Sequence, residues 1–584
     1  MTLFPASRRD PLQNLAEAIG LSISISTLLA LVAFFLGVVF SPILLACFYG
    51  LSSLVILVGV IRRRPVLHWN WSVGVGLVLF AGLLAWRFYQ AHDLVLPPWV
   101  DSVHHVLAVQ RILQTGGIPV DFGIQLPVPF FYHYGFHLLA ALYAALAGFE
   151  PAQAVLWMGQ ILNAAVSLSV FRLTLVAFGE RRTAALAGLL VGFVLQMPAY
   201  DLAWGRFTLV AGLVLLPLGM ASFLEMTRQP GRPHFVRLAL LTAGLCLTHY
   251  LLALLFALFM LVTGIFSLAS ASRQRQWRHF AWQPATAAGA GLLLALPWIV
   301  RLWLLGSRLV SFELALPSPD SGIQLGYLLS LLGPFRNHLL LAAAVPGLVW
   351  AFFRPGLRAL AGWTVLLVLF SLPWGLRLNP FRPDQVVLVL FLPAALLLAG
   401  WLSAAGGWLE RRFHPLIGKA ALGLLILGLA AWGMQETAVV VNQNTILATR
   451  ADLDALAWVK ENTPVDARFL INTVQWQTGS YRGVDGGYWL LPLTGRQALL
   501  PPAVYGWGSP GLIRQVNDWA ARAAKIQGCG DDFWSLVNDA RLDYIYLKRG
   551  RGNLQPEALA GCAGIQGVYD KLDVFIYEID TSAP

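Results

Sequence analysis

The stretch Val386-Val-Leu-Val-Leu-Phe-Leu-Pro-Ala-Ala-Leu-Leu-Leu-Ala-Gly-Trp-Leu-Ser-Ala-Ala405 carries no charge, with Arg382 and Asp384 before it and Arg411 and Arg412 after it. As a helix rising about 1.5 Å per residue, it is long enough for the roughly 30 Å hydrocarbon core of a bilayer. Comparable apolar runs recur at approximately 20–38, 42–61, 71–90, 152–177, 183–199, 207–226, 238–249, 250–270, 285–304, 337–353, 359–374 and 418–435. Across the 584 residues, 58% are hydrophobic and only 12% are charged. Soluble domains carry about 25% charged residues, so the composition excludes a cytosolic enzyme and intrinsic disorder alike. The chain reads as an α-helical polytopic membrane protein with about 13 transmembrane helices.

The formal net charge is +11, yet its placement points to topology and not to nucleic acid. Residues 1–440 hold 27 Lys+Arg against 14 Asp+Glu, whereas residues 441–584 hold 13 against 15. The chain therefore divides into a basic transmembrane domain (1–440, with a first large outer loop at 91–151) and a near-neutral soluble α/β domain (441–584). Basic clusters mark every second connection: Arg8/Arg9, Arg62/Arg63/Arg64, Arg181/Arg182, Arg228/Arg232/Arg237, Arg273/Arg275/Arg278, Arg354/Arg358 and Arg411/Arg412/Lys419. The positive-inside rule makes these loops cytoplasmic. Thirteen spans then leave the N-terminus inside and the C-terminal domain outside a cytoplasmic (inner) membrane.

That parity rests on two conditions. The run 130–149 must lie on the surface or re-enter, and 238–270 must be a hairpin of two short helices with His249-Tyr250 at its outer tip. A single long tilted span is the rival for 238–270. The N-terminus does not read as a cleavable signal. Cys529 and Cys562 can pair in an oxidising compartment or remain free thiols.

With the cytoplasmic clusters set aside, the outer side keeps few ionisable groups: Asp101, Arg111, Asp121, Asp201, Arg206, Arg377, Arg382 and Asp384, with His104, His105, His133, His137 and His249. Charges near a bilayer are costly unless paired, so their gathering at one face points to a site. Arg87, Arg301, Arg308 and Arg336 read instead as side chains reaching from helix ends to the interface.

The first outer loop contains Pro97-Pro-Trp-Val-Asp-Ser-Val-His-His-Val-Leu-Ala-Val-Gln-Arg-Ile-Leu-Gln-Thr-Gly-Gly-Ile-Pro119. The spacing predicts a helix over 102–114, capped by Asp101 or Ser102 and ended by Gly116-Gly117. Asp101, His104 and His105 then share one face. Capping alone would account for Asp101 but not for the two imidazoles. This loop, with the later Phe130-Phe-Tyr-His-Tyr-Gly-Phe-His137, resembles that of the GT-C class of integral-membrane glycosyltransferases, including its oligosaccharyltransferase-like members. The resemblance implies a GT-C-like fold, a polyprenyl-phosphate-linked sugar as donor, and an acidic residue of the first outer loop at the catalytic centre, here Asp101. It further implies donor-side residues on Pro198-Ala-Tyr-Asp-Leu-Ala-Trp-Gly-Arg206 (Asp201, Trp204, Arg206), at the tip His249-Tyr250, and at Arg377 and Arg382 for the lipid phosphate. Guanidinium suits that role, because it stays charged and offers phosphate a planar fork of donors. Two features depart from the family: three spans precede the acidic loop, and the one Asp-x-Asp, Asp452-Leu-Asp454, lies in the C-terminal domain.

In 441–584 the pattern predicts a helix at 452–462 and strands at 467–472, 543–548 and 574–578. An aromatic, Gly-rich tract between them (Trp476, Tyr481, Tyr488, Trp489, Tyr505, Trp507) suits either sugar stacking or packing against the membrane domain. No Walker loop, dinucleotide fingerprint, CxxC or HExxH occurs. The expected activity is inverting sugar transfer to an extracytoplasmic acceptor (glycan, lipid or protein), with Asp101 as general base and membrane lipids as surroundings. Asp101 with His104 or His105 could also hold a divalent cation (Mg or Mn). The alternatives are a transporter or flippase for a lipid-linked or polar solute, and a non-catalytic envelope-assembly member of the same fold.

Overall fold

The computed structural model describes residues 10–63, 71–271, 277–306, 314–315, 324–374, 377–477 and 479–580. The expectations placed on Arg8, Arg9, Arg64, Arg273, Arg275 and Arg308 lie outside these residues, as do those on the side chains of Arg63, Arg278 and Arg377.

The first helices are α1 (Pro11–Leu36), α2 (Pro42–Arg63), α3 (Trp71–Gln90), α4 (Val100–Thr115), α5 (Gly135–Ala147) and α6 (Pro151–Phe178). They are followed by α7 (Arg181–Leu189), α8 (Phe207–Arg228), α9 (Arg232–Thr248), α10 (Tyr250–Ala271) and α11 (Trp277–Gly306). Next come β1 (Leu314–Ala315), α12 (Leu325–Leu331), α13 (Phe335–Ala342), α14 (Val345–Phe352), α15 (Arg358–Ser371) and β2 (Arg377–Leu378). The last of this part are α16 (Pro383–Val386), α17 (Phe391–Arg412) and α18 (Pro415–Thr437). Most of the thirteen apolar runs fall on helix, and among the described residues nine helical segments are long and apolar enough to cross a bilayer. The protein is a multi-pass membrane protein.

Burial sorts these helices into layers. The apolar windows of α6, α8 and the 383–412 segment are 78%, 94% and 83% buried within the protein, against 17% for α3 and for α18. The first three form the core of the bundle, whereas α3 and α18 turn most of their surface outward. Helix α5 has 13 residues, which at about 1.5 Å each is too short to span a hydrocarbon core. Helices α9 and α10 are separate, and the chain breaks at His249 (φ −161°, ψ 108°). Both pack on α8 and α11, and beyond these α9 packs on α1 and α10 on α15.

Two local features depart from the sequence reading. The run 183–199 is not one helix: α7 passes into a π-turn at Leu190–Val194 and ends in extended backbone at Leu195. Helix α18 crosses this turn so closely that a Cβ on Gly433 would lie 2.1 Å from the Phe193 carbonyl oxygen. The end of the helix leaves carbonyls without helical donors. Arg87 supplies them, donating to the Gly192 carbonyl at 2.9 Å and to Gln90 Oε1 at 2.9 Å. Arg87 is therefore an interior donor and does not reach for the interface.

Arg237 likewise belongs to the interior, although it was counted with a loop cluster. Arg172 of α6 bonds Glu17 of α1 at 2.7 Å and Glu225 of α8 at 2.5 Å. Arg237 of α9 meets the same carboxylates at 3.3 and 2.9 Å. Two cations and two anions thus tie four helices together in a neutral quartet.

The C-terminal part begins with α19 (Arg450–Asn462), β3 (Arg468–Ile471), β4 (Thr473–Gln477), β5 (Ser480–Gly483), α20 (Leu490–Thr494) and β6 (Gln497–Ala498). It continues with α21 (Pro510–Ala523), α22 (Asp531–Ala540), β7 (Tyr544–Lys548), β8 (Ile565–Lys571) and β9 (Val574–Ile579). Five strands form one sheet in the order β6-β3-β7-β9-β8, parallel over the first three and antiparallel over the rest. Strands β4 and β5 make a separate hairpin. Cys529 and Cys562 are joined by a disulfide.

Breaking a buried ion pair from one side strands the other partner. Arg172→Ala is expected to lower stability by about 3 kcal/mol, read as a lowered unfolding midpoint of the full-length protein in detergent.

Candidate active site

The site is built on one turn. Pro97 and Pro98 lead into Trp99, which has φ 72° and ψ 170°. Its amide donates to the Thr445 carbonyl at 2.8 Å. A bulky residue adopts a positive φ only when its surroundings impose it. Here that conformation starts α4 at Val100, so Asp101 lies in the first helical turn and no side chain caps the helix. The capping explanation of Asp101 falls away with that geometry. Ser102 donates to the Pro98 carbonyl and closes the turn.

Arg206 stands across from this turn, at the residue before α8. It approaches Asp201 Oδ1 at 3.6 Å and lies 5.4 Å from the Trp204 ring centroid. Gly205 makes the approach possible. At φ +62° a Cβ there would sit 2.4 Å from Ser102 Oγ and 2.8 Å from the Pro98 carbonyl. Burial pushes the Asp101 carboxyl up to about 6, against the opposing field of Arg206. Burial likewise raises Asp201 to about 7, with Arg206 again opposing. Among the described residues Asp101 has no hydrogen-bond partner. Its charge is felt instead by the hydroxyls of Tyr132 and Tyr488, whose pKa values are raised by burial first and by Asp101 to a lesser extent.

Tyr132 is the hub of a histidine cluster. Its ring lies 5.7 Å from His104, 6.0 Å from His105, 5.4 Å from His137 and 4.0 Å from His133. His105 Nδ1 and His137 Nε2 are 2.9 Å apart, so one must donate to the other. His133 is 4.9 Å from His249 and 5.0 Å from Tyr250. The ring nitrogens of His104 and His133 are buried without hydrogen-bond partners. Burial holds His104 neutral by pushing its pKa down to about 3. Among the described residues no three His, Cys, Asp or Glu side chains are grouped to hold a metal.

Arg382 is the residue before α16. Its Nε and Nη2 bind Asp384 at 3.1 and 2.9 Å. Tyr327 of α12 lies in the fields of both arginines: its hydroxyl pKa is raised by burial and by Asp384, with Arg206 and Arg382 opposing. Arg377 pairs through its backbone with Ala315.

The C-terminal part closes the site from above the turn. The Arg482 guanidinium lies 4.8 Å from the Trp99 ring, and Trp99 meets Trp204 at 5.0 Å and Trp476 at 6.4 Å. Trp507 stacks on Tyr132 at 5.0 Å. Trp476, Tyr488 and Trp507 of the aromatic tract therefore face the outer loop. Eight of the ten candidate residues, Asp101, His104, His105, Asp201, Trp204, Arg206, His249 and Tyr250, belong to one neighbourhood, whereas the Arg382 side chain pairs with Asp384. Sequence reasoning passed over Trp99, Tyr132, Tyr327 and, as a site residue, Tyr488. Trp99 had one visible signal, its place between Pro97-Pro98 and the acidic residue.

Residues 2–514 match a family of unknown function, DUF6541, and the chain belongs to that family. No curated protein matches the sequence. Among solved structures, the fold is similar to the Archaeoglobus fulgidus oligosaccharyltransferase in the apo form, with a TM-score of 0.54 at 13% identity over 81% of this chain and 69% of that one. ArnT from Cupriavidus metallidurans, bound to undecaprenyl phosphate, has a TM-score of 0.54 at 15% identity over 86% and 97%. The arabinofuranosyltransferase AftD from Mycobacteria has a TM-score of 0.54 at 16% identity over 86% and 41%. All three are GT-C enzymes, and this chain has the GT-C fold.

A side chain at Gly205 must displace the turn that carries Asp101. Gly205→Ala is expected to lower stability by about 1–3 kcal/mol. Gly117→Ala, where a Cβ meets nothing within 4 Å, is expected to stay within about 0.5 kcal/mol of the parent in the same thermal unfolding assay.

Proposed function

We propose that the chain is an inverting membrane glycosyltransferase that takes a sugar from a polyprenyl-phosphate donor and passes it to an extracytoplasmic acceptor. In this reading 1–440 is the membrane domain of an inner-membrane protein, and 441–584 is a domain on its outer face. The observation that carries it is Asp101: a largely buried carboxylate without a hydrogen-bond partner among the described residues, facing Arg206 at the junction of outer loop, α8 and C-terminal part. The GT-C fold supports the same reading.

In the reaction the acceptor hydroxyl oxygen bonds to the anomeric carbon as the bond from that carbon to the phosphate oxygen breaks. Asp101 accepts the hydroxyl proton, and the polyprenyl phosphate departs with the bonding electrons. A carboxyl raised to about 6 is a stronger base than a free aspartate and is still ionised at neutral pH. Arg206 stabilises the charge that develops on the leaving phosphate. Asp201 holds Arg206, and Arg382 contributes Nη1, the guanidinium nitrogen left over from its pair with Asp384. Tyr132 and the neutral imidazoles of His104 and His105 take the sugar's side of Asp101, with Trp204, His249 and Tyr250 around them.

Asp101→Asn is expected to lower kcat for transfer from polyprenyl-phosphate sugars by about 10²–10⁴-fold, and full retained activity would refute the assignment. In the parent, kcat/KM is expected to rise about tenfold per pH unit below about 6 and to level off above it, because only the ionised carboxylate accepts the proton. Arg206→Ala is expected to raise the donor KM by roughly ten- to a hundredfold. The proposed orientation has its own test, in a background lacking Cys47 and Cys246. A cysteine at the exposed Glu150 should react with an impermeant maleimide from outside, and one at the exposed Arg411 only after permeabilisation.

A further inference from the structure

The C-terminal part contains a cleft that the reading above leaves unused. About 440 Å³ in volume, it lies between the β4–β5 hairpin, the end of α21 and the loop after β7. Arg482, Lys525 and Arg551 line it together with Asn444, Gln475 and Asn553, and no carboxylate does.

This is not a by-product of a basic domain, because residues 441–584 hold slightly more acidic than basic side chains. Neighbouring cations in the same part do find carboxylates: Arg522 pairs with Asp539, Lys548 with Asp452, and Arg549 with Glu557 and Asp573. Among the described residues the side chains of Lys525 and Arg551 have no such partner. Arg482 spends one donor on the Gly483 carbonyl at 3.1 Å. Three positive charges lining one concavity repel one another unless an anion sits between them. The Arg482 pKa is lowered by burial and further by the charge of Arg551.

The cleft also adjoins the site. Arg482 forms its wall and at the same time stacks over Trp99, two residues before Asp101. Asn444 forms another wall beside Thr445, whose carbonyl holds the Trp99 amide. The cleft and the turn that carries Asp101 therefore share a wall.

We infer that this cleft binds the anionic group of the acceptor, so that the acceptor is a glycan bearing a phosphate or a carboxylate close to the hydroxyl that receives the sugar. The inference rests on the glycosyltransferase reading for the word acceptor, while the anion site stands on the cleft itself. Guanidinium and ammonium recognise both anions, and a phosphate offers three acceptor oxygens to the three cations.

The test is isothermal titration of the full-length protein in detergent at low salt with glucose 6-phosphate, glucuronate and glucose. Glucose 6-phosphate or glucuronate is expected to bind and glucose is not, and the stronger of the two anions names the acceptor's charged group. Binding is expected to weaken as sodium chloride is raised to 0.5 M. The double variant Lys525→Gln/Arg551→Gln alters side chains that support nothing else among the described residues. It is expected to lose tenfold or more in affinity for the anionic sugar while its unfolding midpoint is unchanged. Asp101→Asn is expected to bind as the parent does. Equal binding of glucose, or undiminished anion binding by the double variant, would overturn the inference. Full sugar transfer by Asp101→Asn would sink the assigned base while leaving the anion site standing.

Discussion

Trp99 is the point at which three separate parts of the chain are held together. Its amide is bound by Thr445 at the start of the C-terminal part, and its ring meets Trp204 before α8 and Trp476 of the hairpin. Arg482 covers the ring on the C-terminal side, and Arg206 packs on Trp204 beyond it. Two tryptophans thus stand between two arginines, and the positive φ of Trp99 sets where α4 starts. Because α4 starts there, Asp101 faces Arg206 and the histidines of the same helix face Tyr132. A bulky residue in that conformation is disfavoured locally, so its surroundings must hold it.

The protein treats buried charge in two ways. In the Glu17, Arg172, Glu225 and Arg237 quartet, cations and anions are equal in number and in direct contact, which makes it a fastening. Around Asp101 the match is incomplete: Asp101 and Asp201 share Arg206, neither carboxylate is well hydrogen-bonded, and both pKa values are raised by burial. Such a site keeps its carboxylates close to the protonation balance at which proton transfer is easiest. The cluster of neutral imidazoles beside it adds polar lining without adding charge.

Much of this was legible along the chain. Most of the apolar runs found their helices, nine of them long enough to cross a bilayer among the described residues, because a lipid-facing or lipid-buried helix must be apolar over its whole length, a signal carried by consecutive residues. The break at His249 and the strands β3, β7 and β9 were visible for a similar reason, since each is a local pattern. Strand β8 was missed because Gly567 and Asp570 interrupt its alternation, and the β4–β5 hairpin because its tract reads as a loop. Arg87 and Arg237 were misplaced for another reason. Beside the nearer Gln90 and Glu225, each has a partner far away in sequence, the Gly192 carbonyl and Glu17, and it is the distant partner that nothing local announces.

By itself the sequence determined the solvent of each segment: which parts lie in lipid, which form a mixed α/β unit, and that few ionisable groups remain at one face. It determined this because transfer free energy is a property of residues taken nearly one at a time. Only the tertiary structure decided which of those groups meet. It set Arg206 across from the turn of Asp101, made Tyr132 the centre of four histidines with His249 beyond His133, and left Lys525 and Arg551 without carboxylates among the described residues. Charge pairing depends on distance through space, and across more than a hundred residues of chain that distance is fixed by how the helices pack.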